Sequence, residues 1–152
     1  MQDHLDKIYE LEKASYPEDE AATYEKLNYR LLNANDIFRG YFRNGELIGF
    51  VCGTKTANSV LTHDSMSKHD DDGRVVCIHS VVVASEFRRR GVGKEMLSLF
   101  MKHLKDNNLC EKVLLISKPH LIKFYESVGF KLNGESDVVH GQEKWYELQY
   151  DM

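Results

Sequence analysis

Two apolar runs separated by a helical stretch restrict the folds open to this chain. Residues 74–83 (RVVCIHSVVV) are β-branched and nearly all apolar, as expected of a central strand covered on both faces. Residues 112–117 (KVLLIS) are a second short run of this kind. Between them, apolar residues recur at helical spacing over residues 91–107. The order strand, helix, strand predicts a βαβ-like crossover.

Two helices are predicted before the first strand. Apolar residues from Leu5 to Leu11 recur at helical spacing and indicate an amphipathic first helix. Ser15 is followed three residues later by Glu18, which matches a capping box, and Pro17 is tolerated in a first helical turn. The pattern therefore predicts that the second helix starts near Ser15.

The remaining elements are marked by turn residues. Asn44-Gly45 lies between two β-prone runs and predicts a hairpin. Residues 57–73 break any period and indicate a mobile loop, whereas residues 119–129 start with proline and end with glycine, as helices often do. The tail, residues 130–150, holds two alternating runs that predict a closing antiparallel pair. We expect a mixed α/β sheet with packed helices, in one domain over residues 1–152.

Charge and composition exclude several classes of protein. The net charge is −4 and the pI is near 6.0, so a nucleic-acid-binding domain is the last-ranked interpretation. No apolar run is long enough to span a bilayer, and the charged first residues do not resemble a signal peptide. Three widely spaced cysteines are typical of reduced thiols. We therefore expect a cytoplasmic protein without nucleic-acid or membrane partners.

The sequence RRRGVG, residues 88–93, lies between the central strand and the first turn of a helix. A helix N-terminus presents unpaired N–H groups and a partial positive charge, which suit a phosphate. Gly91 and Gly93 allow close approach of the backbone, and the arginines with Lys94 add positive charge. This placement indicates a pyrophosphate-binding turn; the alternative is an exposed basic turn at a helix start. It is neither a Walker loop nor a complete dinucleotide fingerprint.

Several blocks together resemble a known family. Arg88-x-x-Gly91-x-Gly93, preceded by CIHSVVV and followed by LIKFYESVGF, resembles the acetyl-CoA-binding core of the GNAT superfamily of N-acetyltransferases. The blocks SYPEDEAAT, IHSVVVASEFRRRGVG, KFYESVGF and WYEL are similar to the arylalkylamine (serotonin) N-acetyltransferases, especially their shorter non-vertebrate relatives. The matching blocks extend from about residue 14 to residue 148, nearly the whole chain.

The resemblance implies a fold, a cosubstrate and a set of site residues. The fold would be the GNAT fold, a central mixed, mostly antiparallel sheet flanked by helices, and the cosubstrate would be acetyl-CoA. His79 and Tyr125 would be catalytic. Cys77 stands where the vertebrate relatives carry a first histidine, which favours one histidine with ordered water over a two-histidine relay. The residues implied to bind the coenzyme are Val81, Val82 and Val83 on the strand for pantetheine, and Arg88, Arg89, Arg90, Gly91, Val92, Gly93 and Lys94 in the turn for the pyrophosphate.

Acetyl transfer to an amine needs a base and an acid. An alkylammonium has a pKa of roughly 10, so a base or a water chain must remove its proton at neutral pH. His79 can supply the base; the alternative is a core histidine bonded to a backbone carbonyl. Tyr125 can protonate the departing thiolate; the alternative is an aromatic packing face. A strand backbone amide is the expected oxyanion donor.

Other residues are weaker candidates for substrate or metal binding. Glu18, Asp19 and Glu20 could attract a cationic amine, although acids in a first helical turn are routine. An apolar wall for an arylalkyl group could come from residues 16–17 and 50. Four residues raise the possibility of a metal site, but their spacings match no zinc pattern, so no metal is expected: His63, His69, Cys77 and His79.

The predicted function is acetyl transfer from acetyl-CoA to the primary amine of a small arylalkylamine or polyamine, by direct attack in a ternary complex. One alternative is acetylation of a protein N-terminus or lysine. Another is an acyl-CoA-binding module without catalysis. The expected partners are acetyl-CoA and the small amine, and the expected state is a monomer or a weak homodimer.

Overall fold

The computed structural model describes residues 2–57, 68–138 and 143–152. Six strands form one sheet in the order β1-β2-β3-β4-β6-β5. The strands are β1 (Phe38–Arg43), β2 (Glu46–Thr56), β3 (Val75–Val83), β4 (Lys112–Ser117), β5 (Lys131–Glu135) and β6 (Tyr146–Asp151). The helices are α1 (Leu5–Ser15), α2 (Tyr24–Asn33), α3 (Val92–Asp106) and α4 (Ile122–Val128), with short 3₁₀ turns at Gln2–His4, Asn35–Ile37, Ser85–Phe87 and Pro119–Leu121.

The sheet is mixed and mostly antiparallel, as predicted. β3 and β4 are parallel, whereas the four other neighbouring pairs are antiparallel. Helix α3 connects the parallel pair, which confirms the predicted βαβ crossover. The closing pair of β5 and β6 and the helix between Pro119 and Gly129 are also confirmed.

The β1–β2 hairpin turns at the predicted dipeptide. Asn44 and Gly45 have φ angles of 52° and 79°, so both central residues are left-handed. This is the backbone of a type I′ turn, which matches the twist of the flanking strands. Arg43 and Glu46 form the last pair of the ladder.

Helices cover both faces of the sheet. On one face, α3 and α4 bury a core that includes Leu97, Phe100 and Leu104. On the other face, α1 and α2 bury a second core that includes Ile8 and Leu27. Within the described ranges, no helix is both long enough and apolar enough to cross a bilayer.

The second helix starts later than the sequence predicts. Tyr16 precedes Pro17 and is extended, with φ −130° and ψ 149°, because a residue before proline avoids the helical region. Helix α1 therefore ends at Ser15, whose hydroxyl donates to the carbonyl of Leu11. The N-cap of α2 is Thr23, which accepts a hydrogen bond from the Lys26 amide at 3.2 Å. The predicted capping box is wrong, and residues 16–23 are a loop.

The predicted loop at residues 57–73 falls largely outside the described residues. Its last part, residues 68–73, is attached to β2. The Asp70 amide donates to the carbonyl of Lys55 at 2.9 Å, and the Lys55 amide donates to Nδ1 of His69 at 3.0 Å. His63 lies outside the described residues.

Candidate active site

The sheet opens between its two parallel strands. β3 and β4 are paired from Val75 with Lys112 to Ile78 with Leu115, and β3 then continues to Val83. A cavity of about 410 Å³ lies where the two strands diverge. Both strands line it, together with the end of α1, the 16–23 loop and α4.

A β-bulge brings His79 to this cavity. Along β2, Cys52 is paired with Ser80 and the next residue, Gly53, with Ile78, so His79 is the extra residue on β3. A Cβ on Gly53 would lie 2.4 Å from the Cys77 carbonyl oxygen, so only glycine allows the strands to approach this closely. His79 lines the cavity, and its Nε2 lies 2.8 Å from the hydroxyl of Thr54.

Glu12 is an acid that lines the cavity and was not among the residues predicted from the sequence. Its side chain is 2% exposed. The hydroxyl of Ser80 donates to Oε1 and the amide of Ala22 donates to Oε2, both at 2.8 Å. Burial raises the pKa of the Glu12 carboxyl above 4.5, whereas these two hydrogen bonds and the charge of Arg30 lower it. An acid four residues after Ile8, on the apolar stripe of α1, was the available sequence signal.

Two cysteines near the site are buried. Burial raises the pKa of the Cys52 thiol to about 11, although the nearby Arg30 lowers it. Cys77 is 0% exposed and packs with Leu114 and Val138. A buried thiol without a depressed pKa is a poor nucleophile, so Cys52 behaves as a core residue.

Two tyrosines, Tyr16 and Tyr125, line the cavity where β3 and β4 diverge. The Tyr16 hydroxyl donates to the carbonyl of Val81 at 3.4 Å and accepts from the Val81 amide at 3.3 Å. The Val81 backbone therefore faces the cavity. Tyr125 is 8% exposed and packs edge-on against Phe124 and Phe130. Burial raises the pKa of the Tyr125 hydroxyl, and burial together with Tyr125 raises that of Tyr16.

The turn before α3 presents backbone amides without intrahelical partners. Arg89 and Gly91 are left-handed, with φ angles of 61° and 78°. The first helical hydrogen bond runs from the Glu95 amide to the Gly91 carbonyl, so the amides of residues 92–94 have no carbonyl within the helix to bond. A Cβ on Gly93 would lie 3.6 Å from the Phe124 ring, which is ordinary contact distance. The turn is not part of the cavity lining.

Two of the predicted coenzyme-binding side chains have other contacts. Arg88 Nε donates to the carbonyl of Val83 and Nη2 to the hydroxyl of Ser15, both at 2.9 Å. Val82 is paired with Phe50, and its side chain is 1% exposed in the core under α1 and α2. The guanidinium of Arg88 thus ties the turn to the end of α1.

A buried ion pair lies in the cavity wall. Lys118 Nζ is 2.8 Å from Glu20 Oε1, and the two side chains are 15% and 5% exposed. Of the three acids at residues 18–20, Asp19 and Glu20 line the cavity, and Glu18 is exposed. Among the described residues, no group of three or more His, Cys, Asp or Glu side chains is placed to hold a metal ion.

The fold and the site define a class of protein. A mixed sheet that opens between its parallel strands, with a glycine turn leading into the crossover helix, is the GNAT architecture. The model described as the acetyltransferase (GNAT) family matches residues 5–130. The chain belongs to the GNAT acetyltransferase family.

Similar proteins are named for acetyl transfer to different amines. Serotonin N-acetyltransferase of Mesocricetus auratus is 28% identical over 125 residues, which cover 82% of this chain and 60% of that protein. Spermine/spermidine N(1)-acetyltransferase of Bacillus subtilis (strain 168) is 25% identical over 103 residues, which cover 64% and 61%. The chain thus spans about 60% of the length of these curated relatives.

Solved structures confirm the fold. The GphF GNAT-like decarboxylase in complex with isobutyryl-CoA superposes with a TM-score of 0.86 at 14% identity, covering 99% of this chain and 96% of that one. Arabidopsis thaliana Naa50 in complex with the bisubstrate analogue CoA-Ac-MVNAL superposes with a TM-score of 0.76 at 15% identity, covering 100% and 95%.

Proposed function

We propose that this chain transfers an acetyl group from acetyl-CoA to the primary amine of a small substrate, by direct attack in a ternary complex. The observation that carries the proposal is the cavity between the diverging β3 and β4, whose lining includes His79, Glu12 and Tyr125. Family membership supports the reaction class, and relatives named for serotonin and for spermine support a small amine as acceptor.

The coenzyme would bind to backbone groups. Amides of residues 89–94 suit a pyrophosphate, because the N-terminus of α3 carries partial positive charge. Alternation along β3 directs the backbone groups of Val81 and Val83 away from β2, as the contacts of Tyr16 and Arg88 indicate. We therefore assign the pantetheine contacts to Val81 and Val83 and not to Val82. The Tyr16 hydroxyl would exchange its contact with the Val81 amide when the coenzyme binds.

The proton transfers are assigned to two side chains. His79 takes the proton of the attacking ammonium, directly or through water, and the buried Glu12 carboxylate adds negative charge beside that ammonium. A β3 amide stabilises the tetrahedral oxyanion. When the carbon–sulfur bond breaks, the Tyr125 hydroxyl donates its proton to the thiolate sulfur. Burial disfavours both anions, so a thiolate formed in this site takes up a proton more readily than it does in water, while the Tyr125 phenol gives up its proton less readily.

The balance of charge in the cavity favours a monoamine. Among the described lining residues, three acids (Glu12, Asp19 and Glu20) are matched by three cations (Lys26, Arg30 and Lys118). A polycation therefore meets no excess of negative charge. Aromatic surface from Tyr16 and Trp145 suits an arylalkyl body. We propose an arylalkylamine as acceptor in preference to a polyamine.

The test is to separate turnover from coenzyme binding. His79→Gln should lower the turnover number with an arylalkylamine by about 100-fold or more, while the dissociation constant for acetyl-CoA stays within about threefold. His103→Gln, on α3 outside the cavity lining, is the control. Equal turnover in wild type and His79→Gln would refute the role of His79. Acetyl-CoA binding without turnover in the wild type would favour a binding module.

A further inference from the structure

The ammonium of Lys118 lies among side chains that together form a cation-binding site. Its ammonium contacts Glu20 Oε1 at 2.8 Å and Glu143 Oε2 at 3.6 Å. It also lies 5.7 Å from the ring centroid of Trp145, within cation–π range. The Glu20 side chain is 5% exposed and Trp145 is 9% exposed, whereas Glu143 is 62% exposed. The site is therefore shielded from water on the side of Glu20 and Trp145 and open on the side of Glu143.

The side chains around Lys118 are of the kinds that bind alkylammonium groups. The Glu20 carboxylate provides a charge-assisted contact, the more distant Glu143 carboxylate adds negative charge, and an aromatic face provides cation–π attraction. Proteins bind alkylammonium ligands by this combination. Contact with the Glu20 carboxylate raises the pKa of Lys118, so the side chain remains charged at the pH of catalysis. The site is therefore filled by a tethered ammonium from the segment that follows β4.

The occupied site lies in the wall of the acceptor cavity. Glu20, Lys118 and Trp145 line the same cavity as His79 and Tyr125. An acceptor with a second ammonium would gain its affinity from these carboxylates and this ring, but Lys118 already uses them. An acceptor with one amine needs no such site.

We propose that Lys118 is a specificity-determining residue, which fills an internal cation site and thereby excludes polyamines as acceptors. The proposal rests on the proposed function for the statement that the acceptor is an amine. It predicts that removal of the Lys118 ammonium opens the site to the second ammonium of a diamine or polyamine.

The first test measures binding without catalysis. Trp145 is the only tryptophan of the chain, so intrinsic tryptophan fluorescence reports directly on this site. Titration of Lys118→Met with spermidine and putrescine should give a saturable change in fluorescence, at concentrations about tenfold or more below any response of the wild type. Lys118→Arg retains the tethered cation and should behave like the wild type. Lys26→Met removes a cavity cation that is not in this site, and should not gain the response.

The second test uses stability, because Lys118→Met leaves the buried Glu20 carboxylate without its cation and should melt at a lower temperature than the wild type. A polyamine that enters the vacated site should raise that melting temperature with its concentration by mass action. Glu20→Gln in the Lys118→Met background should abolish both the fluorescence response and this rise. A folded Lys118→Met variant that shows neither effect would overturn the proposal.

The third test is kinetic. The ratio of kcat/KM for spermidine to kcat/KM for phenethylamine should rise roughly tenfold in Lys118→Met, because one charge-assisted contact is gained only by the polyamine. An unchanged or lower ratio would contradict the proposal. Failure of the proposed function is distinguishable, since a protein without turnover on any amine can still gain polyamine binding in the fluorescence and melting measurements.

Discussion

Tyr125 holds its proton more tightly than an exposed tyrosine does. Burial raises the pKa of its hydroxyl, and the Phe124 and Phe130 rings fix its position at the cavity wall. A buried phenol of this kind is protonated in the resting protein and does not act as a base. The role proposed for it is therefore protonation of the leaving thiolate, which requires that the hydroxyl be present but not ionised.

Tyr125→Phe should lower the turnover number by about 10- to 100-fold with little change in acetyl-CoA affinity, because it removes the proton donor and keeps the packing. Pre-steady-state release of the coenzyme thiol measures the effect on the chemical step. Tyr150→Phe, which removes a hydroxyl from another ring packed on Phe130, is the control. Equal rates in the two variants would contradict the role of Tyr125.

Glu12 should make stability depend on pH in a direction opposite to that of a carboxylate whose pKa is lowered by folding. Its folded pKa is raised above 4.5, so the folded state binds the proton more tightly than the unfolded chain does. The advantage of the wild type over Glu12→Gln in free energy of unfolding should be greatest at low pH, and should fall as the pH rises from about 4.5 through the raised pKa.

Melting temperatures of wild type and Glu12→Gln, measured from about pH 4 to pH 8, test this expectation. Glu10→Gln removes an exposed carboxylate from the same helix and serves as the control. A wild-type advantage that grows with pH would show that the hydrogen bonds from Ser80 and Ala22 outweigh burial.

At this scale the sequence identifies residues that belong to short motifs and misses those defined by tertiary contacts. His79 and Tyr125 were found because they lie within continuous blocks, and both line the cavity. Glu12 and Lys118 were missed, since their partners Ser80 and Glu20 are 68 and 98 residues away in the chain. Arg88 was assigned to the coenzyme by motif, whereas its guanidinium bonds Val83 and Ser15.

Helices and strands are predicted correctly from the sequence where a single local preference determines the backbone conformation. The hairpin at Asn44-Gly45 was predicted because these two residues favour the left-handed backbone that its turn requires. The helix between Pro119 and Gly129 was predicted because proline often begins a helix and glycine often ends one. The start of α2 was wrong because two rules competed. Ser15 and Glu18 fit a capping box, but Pro17 forces Tyr16 out of the helical region.

The turn before α3 depends on a glycine in the left-handed region. Gly91→Ala should cost roughly 1–2 kcal/mol of stability, because a Cβ at a φ of 78° is strained. Relief of that strain would also displace the amides that are proposed to hold the pyrophosphate. Acetyl-CoA affinity should fall by about tenfold, the worth of one hydrogen bond to a charged group.

Gly45→Ala is the matched control for that variant. Gly45 has a φ of 79°, and a Cβ at either glycine would meet nothing within 4 Å. The two variants should lose similar stability in denaturant titrations, yet only Gly91→Ala should lose coenzyme affinity in calorimetric titration. Equal affinities would separate the turn from coenzyme binding.

One sheet shared by two cores should make the molecule unfold as a unit. Leu97 and Leu27 are each 0% exposed, on opposite faces of the sheet. Replacement of either by alanine should cost about 2–5 kcal/mol. Loss of one core removes the surface on which the other packs, so both variants should shift one common transition.

Equilibrium unfolding in urea, followed by far-UV circular dichroism and by Trp145 fluorescence, tests this cooperativity. The two probes should give coincident curves for wild type, Leu97→Ala and Leu27→Ala. Separate transitions in either variant would indicate that one half of the sheet is stable without the other helix layer.

The central claim concerns the whole molecule: a GNAT fold whose opened sheet holds a small aromatic amine beside acetyl-CoA. Release of coenzyme thiol from acetyl-CoA, measured over tryptamine, serotonin, phenethylamine, putrescine, spermidine and a short peptide, tests it most directly. We expect the highest kcat/KM with the aromatic monoamines and little turnover with the polyamines. Turnover with the peptide alone, or none with any amine while acetyl-CoA binds, would contradict the account.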